Sequence, residues 1–295
     1  MRTKETWLSA GLLALGIGVA VCALLGPLAL GVIAYRTSVT SLDQIVGADA
    51  VGLFLVAPLS IAAGVLVLRG RRGAALLGLA PAVFAAYTYT QLIVGNEYLD
   101  RPGNVERFFP LLLGVFVLAV AVVIGAWSVS AADPLPGPSL RADRVAGVAV
   151  LAIAGFVVLG LHLPGYLDAL SSAPTSVGYL SSPTAFWLVK FMDLGLVVPA
   201  AVAVGIGTLR HRRWAQRPLS ALVGGYALLG ASVAAMAIIM FLKDDPDSSL
   251  GTVVASIVAA SALLALAIHR YRPLLTGPVP DGRQSPDVHL TPARA

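Results

Sequence analysis

The chain has 295 residues, 58% of them hydrophobic and only 12% charged, whereas a soluble domain is about 45–50% apolar and about 25% charged. That balance, with a mean hydropathy of +0.86, excludes an ordinary soluble domain and places the chain in a bilayer. The formal net charge of +5 sits in short clusters at the ends of apolar runs, as membrane orientation requires and nucleic-acid binding does not. The single Cys22 leaves no partner for an intrachain disulfide and no cysteine cluster for a metal.

A membrane-spanning helix needs about 20 mostly apolar residues. Eight segments qualify: 7–34, 47–68, 74–94, 108–130, 145–163, 185–209, 218–242 and 250–269. The first opens like a signal peptide, MRTKETWLSAGLLALG. Its apolar run continues to Tyr35, beyond the roughly 7–15 residues of such a segment, so it reads as a retained helix that tilts or kinks at Pro27. Asp49 stands at the head of the second segment and reads as a cap or a pocket group. The third ends in the Tyr-rich stretch TYTQLIVGNEYLDRPGNVERFFP, with Gln91 and Glu97 near the chain's reversal. Its tyrosines and phenylalanines suit an interfacial aromatic belt. DPLPGPSL, 133–140, marks a linker at the midpoint of the chain. His162 precedes LPGY at the exit of the fifth segment, and Ser182 with Pro183 reads as the start of the sixth. Ala227, Ala231 and Ala235 form a small-residue stripe that lets the seventh helix pack closely. Residues 273–295 are Pro-rich and polar and read as a disordered tail.

The chain therefore reads as an all-α polytopic membrane bundle of eight transmembrane helices. It comprises a first four-helix half at 1–132, a linker at 133–144, a second half at 145–272 and a tail at 273–295. Fifteen of the 20 Lys and Arg residues fall on the side of the N-terminus. The positive-inside rule makes that side, with both termini, cytoplasmic. Sliding the chain by 141 residues lays PLSIAAGVLVLRGRR (58–72) on PAAVAVGIGTLRHRR (199–213), with seven of fifteen positions identical. This suggests a parallel 4+4 repeat about an axis along the membrane normal.

Lys190 and Asp193 interrupt the sixth segment in KFMDLGLVVP. Sixteen residues separate Asp193 from Arg210, about 24 Å of helix at 1.5 Å each. That places Asp193 about 6 Å inside the outer boundary of a hydrocarbon core about 30 Å thick. Lys190 lies one turn further out and can snorkel. Spaced i, i+3, the two could bond each other. An intramembrane acid is a functional candidate by default. The candidate polar pocket, open to the outside, is therefore Asp193, Lys190, His162, Asp49, Gln91 and Glu97. Walker, dinucleotide-binding, HExxH and GxSxG motifs are absent, so no catalytic residue, metal site or cofactor is assigned.

The runs GADAVGLFLVAPL, LRGRRG, YTYTQLIVG, MDLGLVVPA and RHRRWAQ resemble an uncharacterised family of multi-span bacterial integral membrane proteins. Most of the chain takes part. It departs from the pattern at GNEYLDRPGN, where relatives carry a Gly and then an aromatic–Asn pair. The resemblance implies a bacterial plasma-membrane protein. The family has no established activity, so no function carries over. The expected role is structural, accessory or sensory and non-catalytic. Two alternatives stay open: a small-solute carrier or permease with an outward-facing polar pocket, and a membrane-embedded enzyme acting at the outer face. The lipid bilayer is the expected partner, with a small-molecule ligand or a membrane-protein partner undefined and nucleic acid excluded.

Overall fold

Three continuous stretches, 2–71, 73–131 and 140–276, are described by the structure, a computed structural model. It is 83% helical, with no strand among the described residues. Among the described residues, eight helices are long and apolar enough to cross a membrane: Thr3–Leu25, Val39–Leu68, Ala74–Val94, Val105–Ser130, Arg141–Ala169, Pro183–Leu209, Arg213–Leu242 and Leu250–Leu275. This is the all-α, eight-helix architecture that the apolar runs predict, and it is consistent with a multi-pass membrane protein.

Several boundaries differ from expectation for local reasons. The first span ends at Leu25 instead of running to residue 34. Pro27 has no N–H, and its ring clashes with the carbonyl four residues back. The chain then folds back, burying Ile33 and Tyr35. The second span starts at Val39, not at 47, because Ser38 caps it. The Ser38 hydroxyl accepts the Ser41 backbone N–H at 3.2 Å. Asp49 therefore lies well inside the helix and caps nothing. Residues 140–144 and 273–276, assigned to linker and tail, are helical. Asp143 is fixed in that first turn by Arg270. The remainder of the linker, 132–139, and of the tail, 277–295, lies outside the described residues.

The first span packs on the second and fourth, the third on the second, fourth and seventh, the fifth on the sixth, and the seventh on the second and eighth. The third is the most buried span (56% of its apolar window) and the eighth the least (11%), so the third lies centrally and the eighth peripherally. Leu12, Leu15, Leu76, Leu79, Leu112 and Leu219 are sealed in the core. Serines join helices where apolar surface gives no drive to associate. Ser9 donates to the Gly64 carbonyl at 2.8 Å and Ser60 to the Leu12 carbonyl at 2.7 Å. The alanine stripe of the seventh span packs within the chain, and beside Ala235 a β-carbon on Gly47 would lie 2.5 Å from the Met236 backbone nitrogen.

Three spans change helical pitch, each at a proline. π-helical turns occupy Gly52–Val56, Val157–His162 and Asp193–Val197, just ahead of Pro58, Pro164 and Pro199. In each, the residue before the proline donates five residues back: Ala57 to Gly52, Leu163 to Val158 and Val198 to Asp193. The wider turn relieves the clash a proline ring makes inside a regular α-helix. The turns at 52–56 and 193–197 lie 141 residues apart. So do two left-handed caps, at Gly70 (φ +65°) and His211 (φ +54°). Their bonds correspond: Gly70 donates to Val67 and Arg71 to Leu66, as His211 does to Thr208 and Arg212 to Gly207.

Candidate functional site

The π turns of the fifth and sixth spans meet. His162 is the last residue of one and Asp193 the first of the other. His162 Nε2 lies 2.7 Å from Asp193 Oδ2, in a pair whose side chains are 5% and 13% exposed. Tyr87 of the third span donates its hydroxyl to Asp193 Oδ1 at 2.8 Å. Both carboxylate oxygens are thereby engaged by other helices, which offsets the cost of a carboxylate among apolar side chains. Three spans are tied at one carboxylate.

Tyr87 also lines a partly open cavity of about 120 Å³ at the end of the bundle opposite the Arg-rich turns. The second and third spans form one side of it, the sixth and seventh the other. Its polar lining includes Thr37, Ser41, Gln44, Thr88, Gln91 and Asn96, and no charged side chain takes part. Such a surface offers hydroxyl and amide donors and acceptors without net charge. The volume equals about four waters at about 30 Å³ each, far below the roughly 300–1,000 Å³ of a drug-sized pocket. A wider cleft of about 600 Å³ between the first and fourth spans is lined mainly by small apolar residues, with Lys4 and Ser128 its polar members.

The six candidates from sequence divide. Gln91 lines the cavity, while Asp193 and His162 stand behind its Tyr87. Lys190 does not bond Asp193; its ammonium lies 3.4 Å from the centroid of the Phe186 ring, one turn back. Phe186 in turn packs with Tyr179 and Trp187. Glu97 serves the start of the sixth span, accepting the Thr184 N–H at 2.7 Å and its hydroxyl at 2.6 Å. A carboxylate there suits the positive end of a helix. Asp49 is buried away from all of these, against the end of the first span. Apart from Gln91, the neutral polar lining escaped the sequence reading because uncharged side chains inside apolar runs look unremarkable one at a time. The available signal was spacing: Ser41, Gln44 and Ala48, and Tyr87, Gln91 and Gly95, each recur at three or four residues and so share a helix face.

At the Arg-rich end a second polar cluster is fully paired. Arg270 donates to Asp143 Oδ1 at 2.6 Å, to the Gln216 side chain at 2.6 Å and to Ser220 at 3.1 Å. It joins the fifth, seventh and eighth spans. Its atoms are spent on one another, so it reads as a structural clamp.

The chain matches no family model, no curated protein and no solved structure.

Proposed function

We propose that this chain is a membrane carrier or permease whose outward-facing cavity takes a small uncharged polar solute. The observation that carries the reading is the 120 Å³ cavity between the two halves of the chain, whose polar lining is uncharged and comes from the first half except for Ser232, the second half otherwise presenting apolar side chains. Charged solutes would meet no counter-charge there, and solutes much larger than four waters would not fit. Tyr87 gives the site a reporter, because its ring lines the cavity while its hydroxyl holds Asp193 between two π turns. A solute that shifts Tyr87 would act on the fifth and sixth spans together. His162 is committed to Asp193 and does not line the cavity, which favours binding over acid–base chemistry.

The same proposal takes the two halves as a parallel repeat, with the Arg-rich end and both termini cytoplasmic in a bacterial plasma membrane. The basic bias supports that orientation, and the resemblance noted in the sequence supports the family and the setting. The repeat is supported by π turns and left-handed caps that recur at 141 residues. A further support is Ser41 donating to Ser182 at 3.1 Å, since these residues are themselves 141 apart. In a parallel repeat, equivalent residues touch only near the symmetry axis, and the cavity lies beside that contact.

The test is osmotic swelling of proteoliposomes with a graded series of neutral solutes, from urea and glycerol to hexoses. The wild-type chain should admit the smallest polar solutes faster than empty vesicles and exclude hexoses. Gln91→Leu should abolish the difference while the protein still folds. Vesicles no more permeable than empty ones across the series would refute the reading.

A further inference from the structure

Asp49 is the second intramembrane carboxylate, and its surroundings differ from those of Asp193. The residue is 7% exposed, and its Oδ2 has no hydrogen-bond partner. Among the described residues it joins no ion pair; Asp43, two turns earlier, is the one that pairs with Lys243. Oδ2 faces Gly26, at the carbonyl end of the first span. A β-carbon built on Gly26 would lie 2.5 Å from Oδ2, 3.1 Å from the Cys22 carbonyl oxygen and 3.5 Å from that of Ala23. Asp49 Oδ2 and two carbonyl oxygens of the last helical turn thus border the bare face of one glycine, the Cys22 carbonyl also accepting the Gly26 N–H at 2.8 Å. Pro27 stands four residues after Ala23 and has no N–H to offer its carbonyl. The Tyr35 hydroxyl, also buried, has no partner either. Burial pushes that hydroxyl well above its ordinary pKa.

Electrostatics makes this arrangement incomplete. The carbonyl end of a helix carries roughly half a negative charge, and a carboxylate facing it is repelled. The other titratable groups around Asp49 are Cys22 on the first span, Tyr35 on the connection and Tyr89 on the third span, and none of them is a cation. The seventh span meets the second at Gly47 through the backbone of Ala235 and Met236. A buried negative site of this kind becomes favourable when a positive charge enters it. One carboxylate with carbonyl oxygens is the ligand set that broken membrane helices offer to Na⁺ or H⁺. It is too lightly charged for a dehydrated divalent ion, which gathers several carboxylates.

We propose that Asp49, with the Cys22 and Ala23 carbonyls, forms a monovalent-cation site that takes either a sodium ion or a proton. Gly26 leaves the room for it. The site stands whether or not the cavity carries a solute, since Asp49 is not among the residues that line it.

The experiment uses the full chain in detergent, with no solute added. Melting is followed in sodium chloride against choline chloride at equal ionic strength and alkaline pH, and infrared difference spectra are recorded on lowering the pH. A sodium site gives a saturable rise in Tm with sodium only, lost in Asp49→Asn. A proton site gives no sodium effect but a carboxylic-acid C=O band that Asp49→Asn removes. Gly26→Ala, which crowds the carboxylate without replacing it, should weaken the sodium response by about tenfold or more, as loss of supporting geometry does at ion sites, or displace the band. It carries the comparison alone if Asp49→Asn does not fold. A wild-type chain with neither the sodium shift nor the band, or either signal left unchanged by both variants, overturns the proposal.

Discussion

Tyr87→Phe removes one hydroxyl and leaves the ring that lines the cavity. The lost bond ends on a carboxylate, and hydrogen bonds to charged groups contribute about 1.5–3 kcal/mol. The Asp193 side chain is 13% exposed, so water can replace little of it, and a loss of about 1.5–2 kcal/mol is expected. At about 2–4 °C per kcal/mol for chains of a few hundred residues, that is a Tm fall of about 3–8 °C. Asp193→Asn keeps a neutral acceptor but strips the charge from the contacts with Tyr87 and His162. The double variant should therefore lose less than the two singles added together, with a coupling of at least about 1 kcal/mol, well outside the 0.3–0.5 kcal/mol scatter of independent sites. Melting followed by tryptophan fluorescence in detergent is a direct assay, since the chain carries four tryptophans. Lys190→Met with Asp193→Asn is the control. That ammonium rests on Phe186, so its coupling to Asp193 should stay within the 0.2–0.5 kcal/mol of a same-helix pair. Additive Tyr87 and Asp193 losses, or a Lys190 coupling larger than the Tyr87 one, would refute the network described here.

Two further outcomes can be checked without any ligand. Gly47→Ala places a methyl group 2.5 Å from the Met236 backbone nitrogen; because a backbone cannot swing aside as a side chain can, it should cost about 1–3 kcal/mol, and an unchanged Tm would show that the second and seventh spans do not cross this closely. A cysteine introduced at Ser176 should react in intact cells with a membrane-impermeant maleimide and one at Arg212 should not, Cys22 being buried and silent; the reverse labelling would invert the proposed orientation.

The number of spans was legible because apolar length is a property of composition, and all eight runs became helices. What the sequence hid depends on partners. Spacing i, i+3 makes Lys190 and Asp193 neighbours on paper, but it cannot foresee that a carboxylate at a π turn faces His162 and Tyr87 on other helices. The prolines were visible, and the π turns before Pro58, Pro164 and Pro199 were not, since Pro81 lies inside the third span without producing one. TSLDQ, 40–44, read as loop for its polarity. It is helix because Ser38 caps it and Lys243 pairs with buried Asp43 at 2.5 Å. Glu97 was rightly set at the reversal of the chain, yet its role follows from Thr184, 87 residues away.

Asp49 and Asp193 both lie inside long apolar helices, yet they are not equivalent at the 141-residue offset. At 141 residues Asp193 corresponds to Gly52, and Asp49 to Lys190. The π turns at 52–56 and 193–197 and the two caps coincide, whereas the turn at 157–162 falls on regular helix at 16–21, and the ionisable groups are not shared. Asp193 is satisfied by two other helices; Asp49 faces a helix end with one oxygen unpartnered. Both acids stand at the N-terminal side of a π turn, Asp193 as the first residue of its own and Asp49 three residues ahead of the other. One carboxylate ties three spans together, and the other has an oxygen without a partner. Exchanging the two environments, with Gly52→Asp and Asp49→Ala together, should therefore cost folding and not merely move a site, since Gly52 faces Val19 at 3.4 Å and no imidazole or phenol stands there to receive a carboxylate.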